Sequence, residues 1–573
     1  MSTAQATSSP PPAPVRPRLS GPTAAGVSVL AFAAAVGVGH LVAGVASPVS
    51  SPYQAVADAV VRYAPSSLVE FGKTLSLPGL PAGRADKVGL IVGVGVVLLA
   101  VAVCAGLASR ADARPGRRVL MVVGLLGGIA VVSSPVFGLP DVVAPLASVG
   151  AGLWSFRWLH EKALGREFDR LRVPDPGRSE DVGPGGVPAR GEPGDGGVPG
   201  GGVPGSTAPG GPPGGGRVSR RNLLVSGAAV GVGAAGAGLG GSLLGAGVDV
   251  NASRAEVAGR LRPSSPAAPL PPGADFAGRG SPTFLTANSD FYRIDTALRV
   301  PVRAAAQWSM RVHGMVDREL TVSYEDLLAR PLIERPVTLA CVSNEVGGNL
   351  ISTANFLGVS LRDLLLEAGV QDGANQLFST SLDGFTCGTP TDVVLEPDRG
   401  AMLALGMNSA PLPLEHGYPV RMVVPGLYGF VSATKWLADL ELTTFDAKQS
   451  FWLQRGWAEQ APIKTQSRID RPRPGGRVPA GRLTAAGIAW AQHRGIGAVE
   501  LRLDGGPWQR ATLSTEVNSD TWRMWVLDLA VPPGEHRLEC RATDATGEVQ
   551  TAVPAPPVPD GASGWPSTDF TAG

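Results

Sequence analysis

The chain has little cysteine and almost no excess of charge. Its four cysteines, Cys104, Cys341, Cys387 and Cys540, are scattered, and no two of them form a CxxC pair. This excludes a disulfide scaffold and a four-thiolate metal site. A disulfide between Cys387 and Cys540 stays open, because sequence alone does not give their separation. Lys and Arg number 49 against 48 Asp and Glu, so the broad positive field of a nucleic-acid-binding protein is lacking.

Long uncharged apolar runs fill the first third of the chain. A hydrocarbon core of about 30 Å is crossed by roughly 20 apolar residues in a helix. Four runs meet this length and predict a transmembrane region over 21–156, with spans at 22–46, 88–108, 119–138 and 139–156. Residues 53–79 have mixed polarity, which is typical of an extracytoplasmic loop or an interfacial helix.

Basic residues cluster at one side of these spans. They are Arg16 and Arg18 before the first span, Arg110, Arg114, Arg117 and Arg118 between the second and third, and Arg157, Lys162 and Arg166 after the fourth. Because short loops rich in Lys and Arg stay in the cytoplasm, we predict that residues 1–20 form a cytoplasmic tail. Residues 157–218, rich in Gly and Pro, have too little apolar surface to fold and predict a flexible cytoplasmic linker.

A pair of arginines, Arg220 and Arg221, opens the glycine-rich apolar stretch 219–248. This pattern has two interpretations, a twin-arginine export signal inside the chain or a fifth transmembrane helix with flanking positive charges. Both interpretations place the rest of the chain outside the cytoplasm. We therefore predict a multi-pass protein of the cell membrane with an extracytoplasmic C-terminal half.

The second half has ordinary globular composition. Between 281 and 447, short β-rich runs alternate with amphipathic turns, which predicts an α+β domain. Between 483 and 553, evenly spaced strand candidates are separated by Gly, Pro and Asp. This spacing is typical of a seven-strand β-sandwich of immunoglobulin type.

Five segments carry a specific resemblance. In chain order they are FLTANSDFYRIDTAL (284–298), HGMVDRELTVSYEDLLARP (313–331), VTLACVSNEVGGN (337–349), STANFLGVSLRDLLLEAGV (352–370) and MNSAPLPLEHGYPVRMVVPGLYGFVSATKWLADLEL (407–442). Their order and spacing resemble the sulfite-oxidase family of molybdopterin enzymes. The resemblance implies a molybdopterin-binding oxidoreductase domain over 281–450 and an Ig-like dimerisation domain over 451–553. We interpret 249–280 as a linker and 554–573 as a tail.

The resemblance also implies a set of site residues. Soft thiolate sulfur suits a metal held by a dithiolene, and the matching cysteine is Cys341; a buried core thiol is the alternative interpretation. The phosphate of a molybdenum–molybdopterin cofactor needs fixed donors and positive charge, which an arginine fork supplies well. The cofactor-binding residues implied are Asn288, Thr386, His416, Arg421, Ser432 and Lys435.

The substrate side departs from the family pattern. Ile294, Glu345 and Val346 occupy positions where the resemblance implies arginines, and only Arg494 matches a substrate-binding arginine. A site with Glu345 should repel sulfite, so we expect two-electron oxygen-atom transfer on a small, less anionic compound such as an S-oxide or an N-oxide. Sulfite itself stays open as an alternative.

The chain has no CxxCH motif or flavin fingerprint that would indicate a second redox centre. We therefore expect electrons to pass to or from an external partner, a quinone or a cytochrome, and the resemblance implies a homodimer. The competing hypothesis is a non-catalytic, membrane-tethered binding or adhesion protein that uses the Ig-like domain.

Overall fold

The computed structural model describes residues 17–46, 50–63, 85–134, 137–171, 220–245 and 250–573. The chain separates into two compact units. One comprises Met1–Pro52, Val94–Gly128 and Val143–Ser242, and the other comprises Tyr53–Gly93, Ile129–Val142 and Leu243–Gly573.

The described residues before 250 form α-helices. They are α1 (Gly21–Ala46), α2 (Pro52–Tyr63), α3 (Ala85–Ala108), α4 (Arg114–Val132), α5 (Val143–Leu171) and α6 (Arg220–Gly245). Five stretches are long and apolar enough to cross a membrane, namely Gly21–Ala46, Gly89–Ala108, Arg114–Val132, Leu139–Gly165 and Leu224–Gly241. Their length and composition suggest association with a membrane.

Two predicted boundaries were wrong. The span predicted over 119–138 ends as a helix at Val132, because Pro135 lacks an N–H and disfavours helical geometry in the residue before it. The next helix continues to Leu171, well into the predicted linker. Good helix formers and an Arg157–Glu161 ion pair at 2.8 Å, four residues apart, extend it. Residues 172–219 lie outside the described part.

Glycine permits close packing of α6 on α1. A Cβ atom at Gly37 would lie 2.4 Å from the Ala234 carbonyl oxygen, and one at Gly44 would lie 2.4 Å from the Gly241 carbonyl oxygen. No larger side chain fits such backbone contacts, which are typical of helices that pack within a bilayer.

The chain from 281 to 447 has the α+β pattern predicted for it, and the same unit extends back to residue 250. Its helices are α7 (Val250–Ala258), α8 (Tyr324–Leu328), α9 (Leu361–Ala368), α10 (Thr391–Leu395) and α11 (Gly429–Ser432). Its strands are β1 (Ser309–Gly314), β2 (Leu320–Ser323), β3 (Ile333–Ala340), β4 (Ile351–Ser360), β5 (Gln376–Ser381), β6 (Thr386–Pro390), β7 (Met402–Met407), β8 (Ala410–Pro411), β9 (Arg421–Val423) and β10 (Leu437–Thr443).

These strands form two sheets that position the site. One sheet has the order β2-β1-β10-β5-β6, and the other has the order β3-β4-β7-β8, with β9 also paired to β7. All six residues of β7 are buried, so this central strand is apolar throughout rather than alternating. Strand β3 pairs antiparallel with β4 along its whole length, ending at Ala340 opposite Ile351.

The remaining strands form a β-rich C-terminal region of two further sheets. They are β11 (Gln466–Arg471), β12 (Arg477–Val478), β13 (Gly481–Trp490), β14 (Ile496–Leu503), β15 (Gln509–Arg510), β16 (Thr512–Leu513), β17 (Arg523–Val531), β18 (Gly534–Asp544) and β19 (Ser567–Ala572). The sheet orders are β11-β13-β17-β16 and β12-β19-β18-β14-β15. Apolar residues from both sheets, such as Leu483 and Leu538, share one core. The immunoglobulin type stays a prediction.

Two segments interpreted as linker and tail are folded. In α7, Val250 and Val257 join the main core, and the Ser253 hydroxyl lies 2.7 Å from that of Tyr418. Strand β19 pairs with β18, and its Phe570 is buried. Composition did not predict either element, because the short apolar stretches are flanked by many Pro and Gly residues, which are typical of linkers.

Candidate functional site

Cys341 begins a tight turn directly after β3. Its backbone N–H donates to the Leu350 carbonyl over 2.9 Å, and its own carbonyl accepts from Asn344 N at 3.1 Å. The Asn344 side chain accepts from Leu350 N at 2.8 Å and thus closes the turn. The cysteine is 9% exposed. All four cysteines lie in the described part, and none forms a disulfide there.

Two tyrosines, the half-buried Tyr292 and the buried Tyr428, are subject to the charge of Cys341. Burial raises the pKa of Tyr292 well above its usual value, the charge of Cys341 raises it further, and Arg421 opposes this. Burial likewise raises the pKa of Tyr428, with Cys341 again adding and Arg494 opposing. Both phenols are therefore neutral at physiological pH.

Arg421 is a buried guanidinium with unused hydrogen-bonding capacity. It begins β9, is 5% exposed and donates from Nη1 to the His416 carbonyl oxygen over 3.2 Å. Its Nε has no hydrogen-bond partner among the described residues. Burial lowers its pKa to about 10, and Tyr292 opposes this. A buried arginine of this kind destabilises the fold unless an anion binds to it.

His416 and Asn288 lie beside this guanidinium. The His416 Nε2 atom is 3.0 Å from the Asn288 carbonyl oxygen, and the Asn288 amide donates to the Met407 carbonyl over 3.2 Å. Asn408 donates to the Asn288 side-chain oxygen at 2.8 Å. Burial, followed by the charge of Arg421, lowers the pKa of His416 to about 4. The ring is therefore neutral and available for a hydrogen bond.

Lys435 adds a second buried cation. Its Nζ donates to Asp295 over 2.8 Å and to the Glu415 carbonyl over 3.1 Å. The same Asp295 oxygen accepts from Arg293 Nε at 2.8 Å. Burial lowers the pKa of Lys435 to about 8, with Asp295 opposing. The single carboxylate of Asp295 thus pairs with two cations, Arg293 and Lys435, and Arg421 adds a third positive charge nearby. This excess of positive charge suits a phosphate.

Of two predicted cofactor donors, one hydroxyl donates within its own turn and the other accepts a hydrogen bond from a neighbouring segment. The Ser432 hydroxyl donates to the Leu427 and Tyr428 carbonyl oxygens, each at 3.0 Å, so its proton is used inside its own turn. The Thr386 hydroxyl accepts from Phe451 N at 3.0 Å. This contact connects β6 with the segment after β10 rather than with Arg421 and Lys435.

Arg494 is held by a buried carboxylate. Its Nε donates to Asp544 over 2.8 Å, and its Nη2 donates to the Ile463 carbonyl and to Thr465. Burial opposes ionisation of Asp544, but hydrogen bonds from Thr546, Arg494 and others outweigh it and lower the pKa of Asp544 to about 2. The charge of Arg494 is therefore largely compensated. Glu345, in the Cys341 turn, is exposed.

Sequence reasoning missed several residues of this site. They are Tyr292, Arg293, Asp295, Asn344 and Tyr428. All five lie inside the segments that carried the resemblance. A signal was present in Arg293 and Asp295, since opposite charges on both sides of Ile294 indicate an ion pair at this point of the chain. The role of the tyrosines depends on contacts that sequence order does not reveal.

The stability of the domain should depend on pH through His416. Its pKa is about 4 in the fold and about 6.5 in an unfolded chain, so the unfolded state binds more protons between these values. The free energy of unfolding should therefore fall as pH drops from about 6.5 to about 4, by on the order of 3 kcal/mol. Melting midpoints across this range test it, and an unchanged pH slope in His416→Gln would contradict it.

Comparisons with known proteins agree with this geometry. The family model of the oxidoreductase molybdopterin binding domain matches residues 297–452. Sulfite oxidase of Gallus gallus is 32% identical over 323 residues, which are 48% of this chain and 69% of that protein. The mitochondrial sulfite oxidase of Homo sapiens is 31% identical, over 48% of this chain and 58% of that protein.

Two further similarities complete the comparison. An uncharacterized oxidoreductase of Bacillus subtilis, YuiH, is 32% identical over 151 residues, which are 26% of this chain and 72% of that protein. The solved structure of the sulfane dehydrogenase SoxCD from Paracoccus pantotrophus matches with a TM-score of 0.43 and 22% identity, over 52% of this chain and 83% of that chain.

The family model and the sequence relatives define a molybdopterin-binding oxidoreductase, as the segment order predicted. The chain belongs to the sulfite-oxidase family of such enzymes, and its cofactor is accordingly molybdenum–molybdopterin. It spans 58% of the human relative and 69% of the avian one. The competing hypothesis of a non-catalytic binding protein finds no support in them.

The residues present fit this cofactor. The unpartnered Nε of Arg421 is a buried donor that a phosphate oxygen would satisfy. The Asn344 Nδ2 atom, three residues after Cys341, is likewise buried without a partner among the described residues. A thiol at the end of β3 and cations on β9 and before β10 therefore offer one soft ligand and one anion site.

Proposed function

We propose that the protein is a membrane-anchored molybdopterin oxidoreductase that transfers an oxygen atom and two electrons on a small extracytoplasmic substrate other than sulfite. One observation carries the proposal. The Cys341 thiol follows β3, and a Cβ atom at Gly429 would lie 3.6 Å both from the carbonyl oxygen of Ala340, directly before the thiol, and from the Tyr292 hydroxyl. The charge of Arg421, a buried arginine with an unsatisfied donor, acts on the same phenol. A soft ligand and an anion-binding group thus border one site.

The residues of this site have separate roles. When bound, the cofactor supplies the two-electron redox chemistry. Cys341 would be the protein ligand to its metal, and Arg421 and Lys435 would hold its phosphate. His416, neutral at physiological pH, and Asn288 orient the pterin through hydrogen bonds. Ser432 would contribute through its backbone, because its hydroxyl proton is used inside its own turn, whereas the Thr386 hydroxyl accepts from Phe451 N and keeps its proton for donation.

The charges near the substrate disfavour a dianion. Arg494 is paired with Asp544, whose carboxylate is fully buried, and Glu345 contributes a negative charge at the turn. A neutral S-oxide or N-oxide avoids this repulsion. Its reduction consumes two electrons and two protons, breaks the bond to oxygen and releases water. A quinone or cytochrome would exchange the electrons, and oxidation of the corresponding sulfide or amine is the reverse reaction.

The contacts of α6 support its retention as a fifth span. Close approaches of Gly37 and Gly44 to α6 backbone are those of a packed membrane helix. With four spans before it and basic loops in the cytoplasm, α6 would carry the catalytic domain to the outer side. Whether or not the arginine pair also directs export, this topology is the same. The C-terminal sandwich, if of immunoglobulin type, would mediate a homodimer.

The experiment is metal and pterin analysis of the intact chain in detergent, followed by turnover assays. We expect about one molybdenum and one pterin per chain. Dimethyl sulfoxide or trimethylamine N-oxide should be reduced with a viologen dye as electron donor, and sulfite should not reduce a ferricyanide acceptor. Protein correctly folded but free of molybdenum would contradict the assignment, and rapid sulfite oxidation would contradict the choice of substrate.

A further inference from the structure

The turn that begins with Cys341 extends to Leu350, and its far side packs on its own closing side chain. Gly348 N donates to the Glu345 carbonyl oxygen over 2.9 Å. A Cβ atom at Gly348 would lie 2.5 Å from the Asn344 Oδ1 atom, which accepts from Leu350 N. Because the two groups are in such close contact, a shift of the Gly348 backbone displaces the side chain that closes the turn.

An arginine from the C-terminal region donates to this turn. Arg468, in β11, donates from Nη1 to the Gly348 carbonyl oxygen over 3.2 Å. Its side chain is only 13% exposed. A hydrogen bond from an ionised donor is stronger than one from a neutral donor, and a low local dielectric strengthens it further. The guanidinium therefore holds the Gly348 carbonyl at a fixed position.

A carboxylate on the same strand orients this guanidinium. The Nε atom of Arg468 donates to Asp470 Oδ1 over 2.8 Å. Side chains two residues apart in a strand lie on the same face, and a β-bulge lies between Ile469 and Arg471. The second carboxylate oxygen of Asp470 is buried without a hydrogen-bond partner among the described residues. Asp470 thus fixes the Nε edge of the guanidinium, while Nη1 contacts the turn.

The backbone of Arg468 is itself held in place. It pairs antiparallel with Ile488 of β13. A Cβ atom at the neighbouring Gly487 would lie 2.0 Å from the Arg468 carbonyl oxygen. Only glycine permits so close an approach of the two strands. The arginine therefore extends from a rigid strand toward the turn.

A second part of the C-terminal region packs on the same turn. A Cβ atom at Gly564 would lie 3.7 Å from Val346 Cγ2, and one at Gly347 would lie 3.5 Å from Pro566 Cβ. Both distances are ordinary van der Waals contact. These contacts are apolar and without direction, whereas Arg468 supplies a directional bond.

We propose that Arg468, oriented by Asp470, is a positioning residue that holds the Cys341 turn and thereby sets the direction in which the Cys341 thiol meets the metal. It acts through Gly348 and Asn344. The inference rests on the proposed function and extends the working site beyond residues 297–452, which the family model matches. Loss of a group that orients a metal ligand costs about 10- to 100-fold in affinity or activity.

The test compares Arg468→Met, Arg468→Lys and Asp470→Asn with wild type in the intact chain. Three readouts are used, namely hydrogen exchange of the peptide 341–350, the electron paramagnetic resonance spectrum of the molybdenum, and kcat for dimethyl sulfoxide per bound molybdenum. In Arg468→Met we expect faster exchange, shifted g-values and a kcat about tenfold lower. Asp470→Asn should change all three in the same direction.

Arg468→Lys keeps a charged donor and should restore kcat to within about threefold of wild type. This conservative variant also keeps the inference testable if the methionine variant does not fold. A lysine variant with the exchange, spectrum and kcat of wild type, beside a methionine variant that has lost all three, is the result expected of a positioning role.

Arg523→Met is the matched control. Arg523, in β17, is 23% exposed and donates to the Ser514 and Ile496 carbonyl oxygens over 2.8 Å and 2.7 Å. Both acceptors belong to the C-terminal region rather than to the Cys341 turn, so exchange of peptide 341–350 and the spectrum should match wild type.

Wild-type exchange and spectrum in Arg468→Met, or equal changes in Arg523→Met, would overturn the inference. Absence of molybdenum from the wild type would instead overturn the proposed function. Hydrogen exchange requires neither metal nor substrate, so it still decides in that case whether Arg468 holds the turn.

Discussion

Replacing Cys341 by serine is expected to lower kcat at least about a hundredfold, since loss even of groups that only orient metal ligands costs about 10- to 100-fold. The hydroxyl is a harder and less acidic ligand than the thiol, and the buried turn holds it in the same place. The absorption spectrum of the metal should change in parallel. Steady-state kinetics and visible spectra of the two purified proteins measure both effects.

Cys387→Ser is the matched control for this substitution. Cys387 is also fully buried in the main core, and its thiol lies 3.8 Å from the Thr389 hydroxyl. Polar neighbours can satisfy a serine hydroxyl there, so kcat should stay within about twofold of wild type. Equal activity of Cys341→Ser and wild type would remove Cys341 from the metal.

Replacing Arg421 by methionine is expected to abolish stable retention of the cofactor. A methionine side chain would still pack over the Phe356 ring, but it has no positive charge and no hydrogen-bond donors. Truncating one partner of a buried charge pair costs about 2–5 kcal/mol, which weakens binding by about thirtyfold to several thousandfold. Pterin content after gel filtration measures the loss.

Arg482→Met supplies the comparison for Arg421. Arg482 pairs with Asp528 on the surface, and its side chain is 79% exposed. Such a pair contributes little to stability, so pterin content should match wild type. A full complement of pterin in Arg421→Met would contradict the phosphate-binding role, whereas loss in both variants would indicate general instability.

Hydropathy was sufficient to predict the long apolar helices because the signal is local. Each predicted span overlaps a helix that is long and apolar enough to cross a bilayer. The errors fell at the ends, where Pro135 stopped one helix early and ion-paired helix formers extended the next. Composition alone does not distinguish these cases, since both stretches are partly polar.

The catalytic family was predictable from segment order, but the contacts of single side chains were not. The resemblance pointed to Arg421 and Lys435. These two residues lie close to each other and have little exposure to solvent, as expected of an anion site. It also pointed to Ser432, whose proton is used by its own turn. Whether a hydroxyl is already engaged depends on the local backbone, which a motif does not encode.

Long-range contacts determine the substrate side. Arg494 matched a substrate-binding arginine, yet Asp544 neutralises it. The segment 554–566 was interpreted as part of a tail, yet it contacts Tyr428 and the Cys341 turn. Residues so far apart in the chain meet only in the folded protein, so no local pattern could have predicted these pairs.

X-ray absorption at the molybdenum edge measures the central bond directly. The intact wild-type chain and Cys341→Ser should both contain pterin, and the wild type should show one sulfur neighbour more than the variant. An identical number of sulfur neighbours in the two proteins would contradict the account, as would a folded wild-type protein that contains no molybdenum.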